Sequence, residues 1–421
     1  MGKGRKMIAL VILSIMAGMV YLTPFLRFTF YDQMIEALQI TDVQIGTLGG
    51  IYGVFALIGY LPGGFLAEKF SAKHLLILSA AGMFAATVWY CFYPGFWALC
   101  VIHAMFGTFS VITFWSAYLK AVRNLGREDE QARLYGSSEA IRGIGQAVVS
   151  FISLGAVNAF GQAAVGFRIM LIINAVVFFA LIVAIIIFIP KDDISAEGQK
   201  VSEKKDNLFE TAGRLLKSPS VWICIFVIMS GFTVWTTVNG YMGTYGTRVL
   251  NLPDGLSSTL SIVRSYVVVL FAGLIGGVVI DKFSCKGKGL FVIFLLEVLS
   301  VAGIFLTSNL IFVCVAVTLI LGFFANIIKS TYWSILGEAG ISREMTGLAT
   351  GIISVIGFTP DAFSAPVVSR FIRYGEQQGN VETGFNIMLV WLAVWAVLGM
   401  TGSLILKRYT EKNGLSVKAN G

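Results

Sequence analysis

Histidine is almost missing from this 421-residue chain, which has only His74 and His103. Cysteine occurs five times, never as a C-x-x-C pair. These scarcities exclude a histidine-rich metal or catalytic centre and argue against a disulfide framework. Charged residues make up 13% of the chain, about half the share usual in soluble domains. A G-x-x-x-x-G-K-S/T phosphate loop is lacking, which excludes an ATP-driven motor. No Ser-His-Asp or metal constellation falls in the loops, and no polar stretch is long enough for a catalytic domain. Neither a ring of pore charges nor a selectivity loop is evident, as a channel would need. The chain therefore reads as neither an enzyme nor a cofactor-binding protein.

Apolar residues are abundant. They make up 57% of the chain, with 33 Phe and a mean hydropathy of +0.82. Runs long enough to cross a bilayer recur throughout. Twelve spans are predicted: 7–28, 44–67, 75–93, 96–119, 135–158 and 167–189, then 219–243, 258–280, 289–307, 310–336, 346–369 and 385–406. The first begins at Met7 without a small-residue cleavage site, which predicts a retained helix. The longest polar segment, Pro190 to Ser218, predicts a linker with a surface helix around Leu208–Leu216.

The net charge of +8 reflects topology rather than nucleic-acid binding. With both termini placed in the cytoplasm, 23 Lys and Arg fall on the cytoplasmic face. Only Arg27, Arg248, Arg370 and Arg373 fall on the other, the bias expected of short loops.

One stretch occurs twice. Gly64-Phe-Leu-Ala-Glu68-Lys69-Phe-Ser-Ala-Lys73 and Gly277-Val-Val-Ile-Asp281-Lys282-Phe-Ser-Cys-Lys286 are offset by 213 residues. Phe114-Trp115-Ser116 likewise matches Tyr332-Trp333-Ser334, with Gly107 and Gly322 earlier in the same helices. An even number of spans per copy gives parallel repeats. Glycines 64 and 277 predict close helix approach. Glu68 and Asp281 predict ion pairs across the cytoplasmic seam.

The duplicated stretch resembles the signature loop of the major facilitator superfamily, G-x-x-x-D-R/K-x-G-R/K-R/K. The second copy matches at Gly277, Asp281, Lys282 and Lys286, and departs at Ser284 and Cys285. The first matches at Gly64, Lys69 and Lys73, with Glu68 for Asp, Ser71 for Gly and Ala72 for a basic residue. The resemblance implies an all-α polytopic membrane protein of twelve helices in two six-helix bundles, residues 1–190 and 219–421, joined by a cytoplasmic linker at 191–218. It also implies alternating-access transport, with the loop acid holding the outward-open state. Gly64, Glu68, Lys69, Gly277, Asp281, Lys282 and Arg142 are the expected gating residues.

Ionisable residues inside spans are costly and mark pathways or partners. Arg264 lies about 25 Å by helix rise from the cytoplasmic loop, and its fork suits a planar or tetrahedral anion. Snorkelling at the helix end is the alternative. Lys329 lies about 13 Å inside its helix end, one turn after Asn326, and either meets a ligand or pairs with an acid such as Glu297 or Asp361. Arg27 is a third candidate cation, at the outer end of the first span. Asn239 offers hydrogen bonds, and Trp115 and Trp333 stand out because they repeat. Proton coupling would fall to Asp361, beside Pro360, or to Glu139, Glu297 or His103. Glu139 also sits one turn from Arg142, a spacing that favours a mutual pair.

Two expectations follow for function. The first is proton-coupled uptake of a small organic anion, such as a sugar acid or carboxylate, with protons as coupling ion. The second is proton-driven efflux of amphipathic compounds. The expected setting is a bacterial cytoplasmic (inner) membrane, with both termini cytoplasmic and the monomer as the functional unit.

Overall fold

The computed structural model describes residues 3–126, 130–160, 162–190, 212–341 and 346–415. Among these residues twelve helices are long and apolar enough to cross a membrane. We number them as spans: Gly4–Phe28, Asp42–Tyr60, Ala72–Tyr90, Phe96–Arg123, Leu134–Ala159, Ala163–Phe188, Pro219–Arg248, Asp254–Asp281, Lys286–Thr307, Ile311–Leu336, Leu348–Gln377 and Val381–Lys412. Every predicted span has its helix. Most of the linker lies outside the described residues, as does Leu208 in the surface helix expected there; residues 212–217 are helical.

Local chemistry sets the helix ends. Thr41 and Gln44 form a reciprocal capping box before the second span, where Gln44 N donates to Thr41 Oγ1 and Thr41 N donates to Gln44 Oε1. Pro219 and Pro360 occupy first-turn positions, where a missing N–H costs nothing. Pro360 also divides the eleventh span into Thr346–Gly357 and Pro360–Gln377, the break its ring imposes. The first span tightens into a 3₁₀ turn at Thr23–Phe28, where Pro24 interrupts the α pattern.

The chain divides by contact into Met1–Lys204 and Lys205–Gly421. In the first unit span one packs on span five, span two on span four, and span three on span six. In the second unit seven packs on eleven, eight on ten, and nine on twelve. The pairing is the same in both copies, as parallel repeats require. Large apolar side chains point outward, among them Phe312 (91% exposed), Leu306 (83%) and Leu274 (75%). Such a surface is at home in lipid rather than water.

The close helix approach falls one residue away from the predicted glycines. A Cβ on Gly63 would stand 2.8 Å from the Val111 carbonyl oxygen and 3.0 Å from that of Ile112. One on Gly276 would stand 2.9 Å from the Ile327 side chain. Gly64 and Gly277 have no such neighbours within their own units. A step of one residue turns about 100° around a helix. The helix Asp42–Lys69, which extends span two, and span eight therefore present Gly63 and Gly276, also 213 residues apart, to spans four and ten.

Candidate functional site

In the second unit, five of the polar and aromatic residues singled out above come together where spans seven, eight and ten meet. The eighth span is not a plain α-helix there: Val263–Val267 form a π turn. Such turns re-aim side chains and recur at functional sites. Arg264, within it, is 1% exposed. Its side chain lies across Gly322 of the tenth span, where a Cβ would stand 2.6 Å from Arg264 Cδ. Glycine at 322 is therefore what lets the arginine lie flat.

Around this arginine the amides act as joints. Asn326 Nδ2 donates to the Arg264 carbonyl (3.1 Å) and the Gly322 carbonyl (2.8 Å), while Trp235 Nε1 donates to Asn326 Oδ1 (2.9 Å). Ser265 Oγ donates to Asn239 Oδ1 (2.9 Å), and Asn239 Nδ2 donates to the Trp235 carbonyl (2.9 Å). Both asparagines are fully buried and spend their amides tying three helices together. They position the site rather than offering open hydrogen bonds.

Among the described residues Arg264 itself has one polar partner, donating from Nη2 to Ser261 Oγ at 3.1 Å, while its Nε–H has none. Among the described residues no carboxylate pairs with it. A guanidinium buried without a counter-charge is an expensive arrangement. A guanidinium is also a group that charge-assisted hydrogen bonds can join to an anion.

Lys329 completes this face. Its Nζ stands 3.8 Å from the centroid of the Trp235 ring, a cation–π contact. Trp235 stacks on Phe232 (5.6 Å), Phe232 meets Phe358 (4.7 Å), and Phe358 meets Trp333 edge-on (5.9 Å). Trp333 is thus joined to Lys329 through an aromatic row. Asp361 follows in the first turn after the break at Pro360, within electrostatic reach of Tyr332. Phe232, Phe358, Ser261 and Ser265 escaped the sequence reading. Among so many aromatics and hydroxyls, nothing but position distinguishes them.

The first unit has its own π turn, Val111–Trp115, at the repeated tryptophan. Tyr21 packs edge-on against Phe114 and Trp115, each at 6.1 Å. Its hydroxyl donates to the Ser110 carbonyl (3.4 Å), and Tyr52 OH meets Ser110 Oγ (3.2 Å). Arg27 is 6% exposed, its guanidinium 4.8 Å from the Phe28 ring centroid. His103 is buried, its Nδ1 at 2.9 Å from the Leu99 carbonyl and its ring edge-on to Tyr90 and Phe106, which is a packing environment. Glu139 and Arg142 form the pair their spacing predicts, at 2.9 Å, on a half-exposed face. Glu297 is fully buried in the ninth span, and neither carboxylate oxygen has a hydrogen-bond partner among the described residues.

The duplicated loops differ in detail. Asp281 pairs with Lys286 of its own loop at 3.2 Å, exposed to solvent, an interaction worth at most about 1 kcal/mol. Lys282 and Glu68 are exposed, and Lys69 Nζ lies 4.2 Å from the Phe65 ring centroid. A further contact in this loop involves Glu338, which the sequence reading passed over. Both its carboxylate oxygens accept from Lys286 N, at 2.9 and 2.8 Å, capping the ninth span. Burial pushes its carboxyl above the usual carboxylate range, against the lowering pull of these bonds. In the first unit Lys120 takes the matching place, five residues after the repeated tryptophan. It donates to the Ala67 carbonyl at 3.0 Å, at the C-terminus of the helix Asp42–Lys69. Each charge suits the helix end it meets.

The sequence matches the model for the Major Facilitator Superfamily over residues 8–365. It is 25% identical over 407 residues to the inner membrane protein YqcE of Escherichia coli (strain K12), covering 94% of this chain and 93% of that protein. In fold it is similar to a bacterial homolog of the human lysosomal transporter Spinster in an inward-facing, unoccupied conformation, with a TM-score of 0.79, 12% identity, and 98% and 99% of the two chains covered. It is likewise similar to a D-xylose-proton symporter, with a TM-score of 0.73, 15% identity and 98% of each chain covered. Twelve spans in two like-paired sets, a buried polar cluster and this family match lead to one conclusion: the chain belongs to the major facilitator superfamily and is a multi-pass membrane transporter of a small-molecule substrate, not an enzyme.

Proposed function

We propose that the protein takes up a small organic anion, such as a sugar acid or carboxylate, by alternating access coupled to protons. The observation that carries this reading is Arg264, 1% exposed and paired with no carboxylate among the described residues. An anionic substrate would supply the missing counter-charge and use the fork's free N–H. Lys329 and the row from Trp235 to Trp333 give a second cation and a flat apolar wall beside it. This combination suits a solute with one charged end and a less polar body. Arg27 and Trp115 would contribute from the first unit, and the duplicated loops, with Asp281 foremost, would set which face opens. Asp361 is the first choice for the coupling carboxylate, because it follows the helix break at Pro360; Glu297, Glu139 and His103 come after it. A bacterial cytoplasmic membrane, with both termini cytoplasmic, fits the distribution of lysine and arginine.

The test is direct binding to purified, matched-yield variants, using a panel of carboxylates and their neutral analogues. Affinity for the carboxylate is expected to fall in the order Arg264, Arg264→Lys, Arg264→Gln. The glutamine form should lose about 2–5 kcal/mol and the neutral analogue much less. Equal affinities in the Arg and Gln forms would sink the anion reading. Preference of both for lipophilic cations would favour proton-driven efflux instead.

A further inference from the structure

A groove of about 680 Å³ runs along the outer surface of the first unit, between the third and sixth spans. Phe84, Val88 and Phe92 line one wall; Ile172, Val176 and Phe179 line the other. Phe84 and Phe179 close its deep end, ring to ring at 5.9 Å. Arg168 stands at the opposite end. From Arg168 to Phe179 the helix rises about 16 Å, which is half the hydrocarbon thickness of a bilayer, about 30 Å. The groove therefore has the depth of one leaflet.

Its open end carries the marks of the membrane–water boundary. Phe92 is 73% exposed and Trp97 80%, as interfacial aromatics are. Arg168 is exposed, and its guanidinium lies 4.6 Å from the centroid of the Tyr93 ring. Among the described residues no carboxylate pairs with it. Tyr93 is held in place twice over: its backbone takes the left-handed φ of 52°, and its hydroxyl donates to the Ala164 carbonyl at 2.6 Å. The arginine thus rests on a fixed platform, at a boundary where cations are otherwise few.

We propose that this groove binds an anionic glycerophospholipid, one acyl chain lying between the third and sixth spans and the phosphate on Arg168. The site is separate from the polar cluster of the second unit and does not depend on the transported solute. A chain of leaflet length fits the apolar walls, and Arg168, paired with no carboxylate among the described residues, supplies the charge complement at headgroup level.

Native mass spectrometry of the full-length protein in detergent, titrated with dioleoyl phosphatidylglycerol or dioleoyl phosphatidylcholine, tests this. The wild type is expected to retain the anionic lipid preferentially. Arg168→Gln, a surface change that spares the packing, should weaken phosphatidylglycerol about fivefold and leave phosphatidylcholine unchanged. Val176→Trp should fill the groove and reduce retention of both. Equal phosphatidylglycerol affinity in wild type and Arg168→Gln would overturn the proposal, as would unchanged retention in Val176→Trp. Displacement of the lipid by soluble glycerol phosphate would also overturn it, marking Arg168 as a site for free anions.

Discussion

Arg264 can lie flat within the second unit because the residue beneath it has no side chain. Gly322→Ala would place a methyl group against Arg264 Cγ and Cδ. The arginine must then lift, while its charge, its backbone bond from Asn326 and the tenth span all survive. Carboxylate affinity is expected to fall about tenfold, less than in Arg264→Gln, since displacement costs less than removing the charge; isothermal titration would measure it. Unchanged affinity would mean that the flat placement is irrelevant to binding. The sequence marked Arg264, Asn239, Asn326 and Lys329 because polar groups are rare and costly within spans. It also noted Gly322, as a repeated residue. What it could not show is that Gly322 faces Arg264. That depends on which sides of two helices meet, and the π turn at Val263–Val267 shifts that register locally.

Between elements, the ninth span is held at its start by a residue from beyond the end of the tenth. Glu338 is 4% exposed, accepts from Lys286 N, and its carbonyl accepts from Thr410 Oγ1 at 3.2 Å. Glu338→Ala should cost about 1–2 kcal/mol, the scale of a lost N-cap, read as a lower Tm in detergent. The pH dependence follows from the raised carboxyl. Where the folded value exceeds the unfolded one, the native state holds the extra proton, so stability falls as pH rises from the ordinary carboxylate range through the raised value. Glu338→Gln, always neutral, should flatten that part of the Tm-against-pH curve; an unaltered slope would assign it to another group. The motif reading gave Lys286 and Asp281 prominence because they sit inside the repeat. Glu338 pairs with a residue 52 positions away, and nothing local in the sequence announces it. The one-residue displacement from Gly64 and Gly277 to Gly63 and Gly276 is similar: the motif located the region, and the helix phase chose the glycine.

For the whole molecule, span number, repeat structure and the class of transport protein were legible, because bilayer thickness and backbone satisfaction leave few alternatives. Solute identity was not, since it rests on side chains gathered from distant spans. Coupling is tested at this scale. Asp361→Asn is expected to abolish proton-driven accumulation in proteoliposomes while retaining some substrate exchange down its gradient. Full accumulation under a pH gradient would move the coupling role to another carboxylate, with Glu297 and Glu139 next.

The two copies share their helix pairing but not their irregular turns. One places a π turn in span four, at Val111–Trp115; the other places it in span eight, at Val263–Val267. A π turn holds roughly one residue more than the 3.6 of an α turn, so the helix beyond it is turned by about 100° and shifted by about 1.5 Å from where an unbroken α-helix would carry it. Val263–Val267 thus acts as a phase offset, setting the face that Val268–Asp281, the duplicated acid included, presents relative to Ser257 and Ser261.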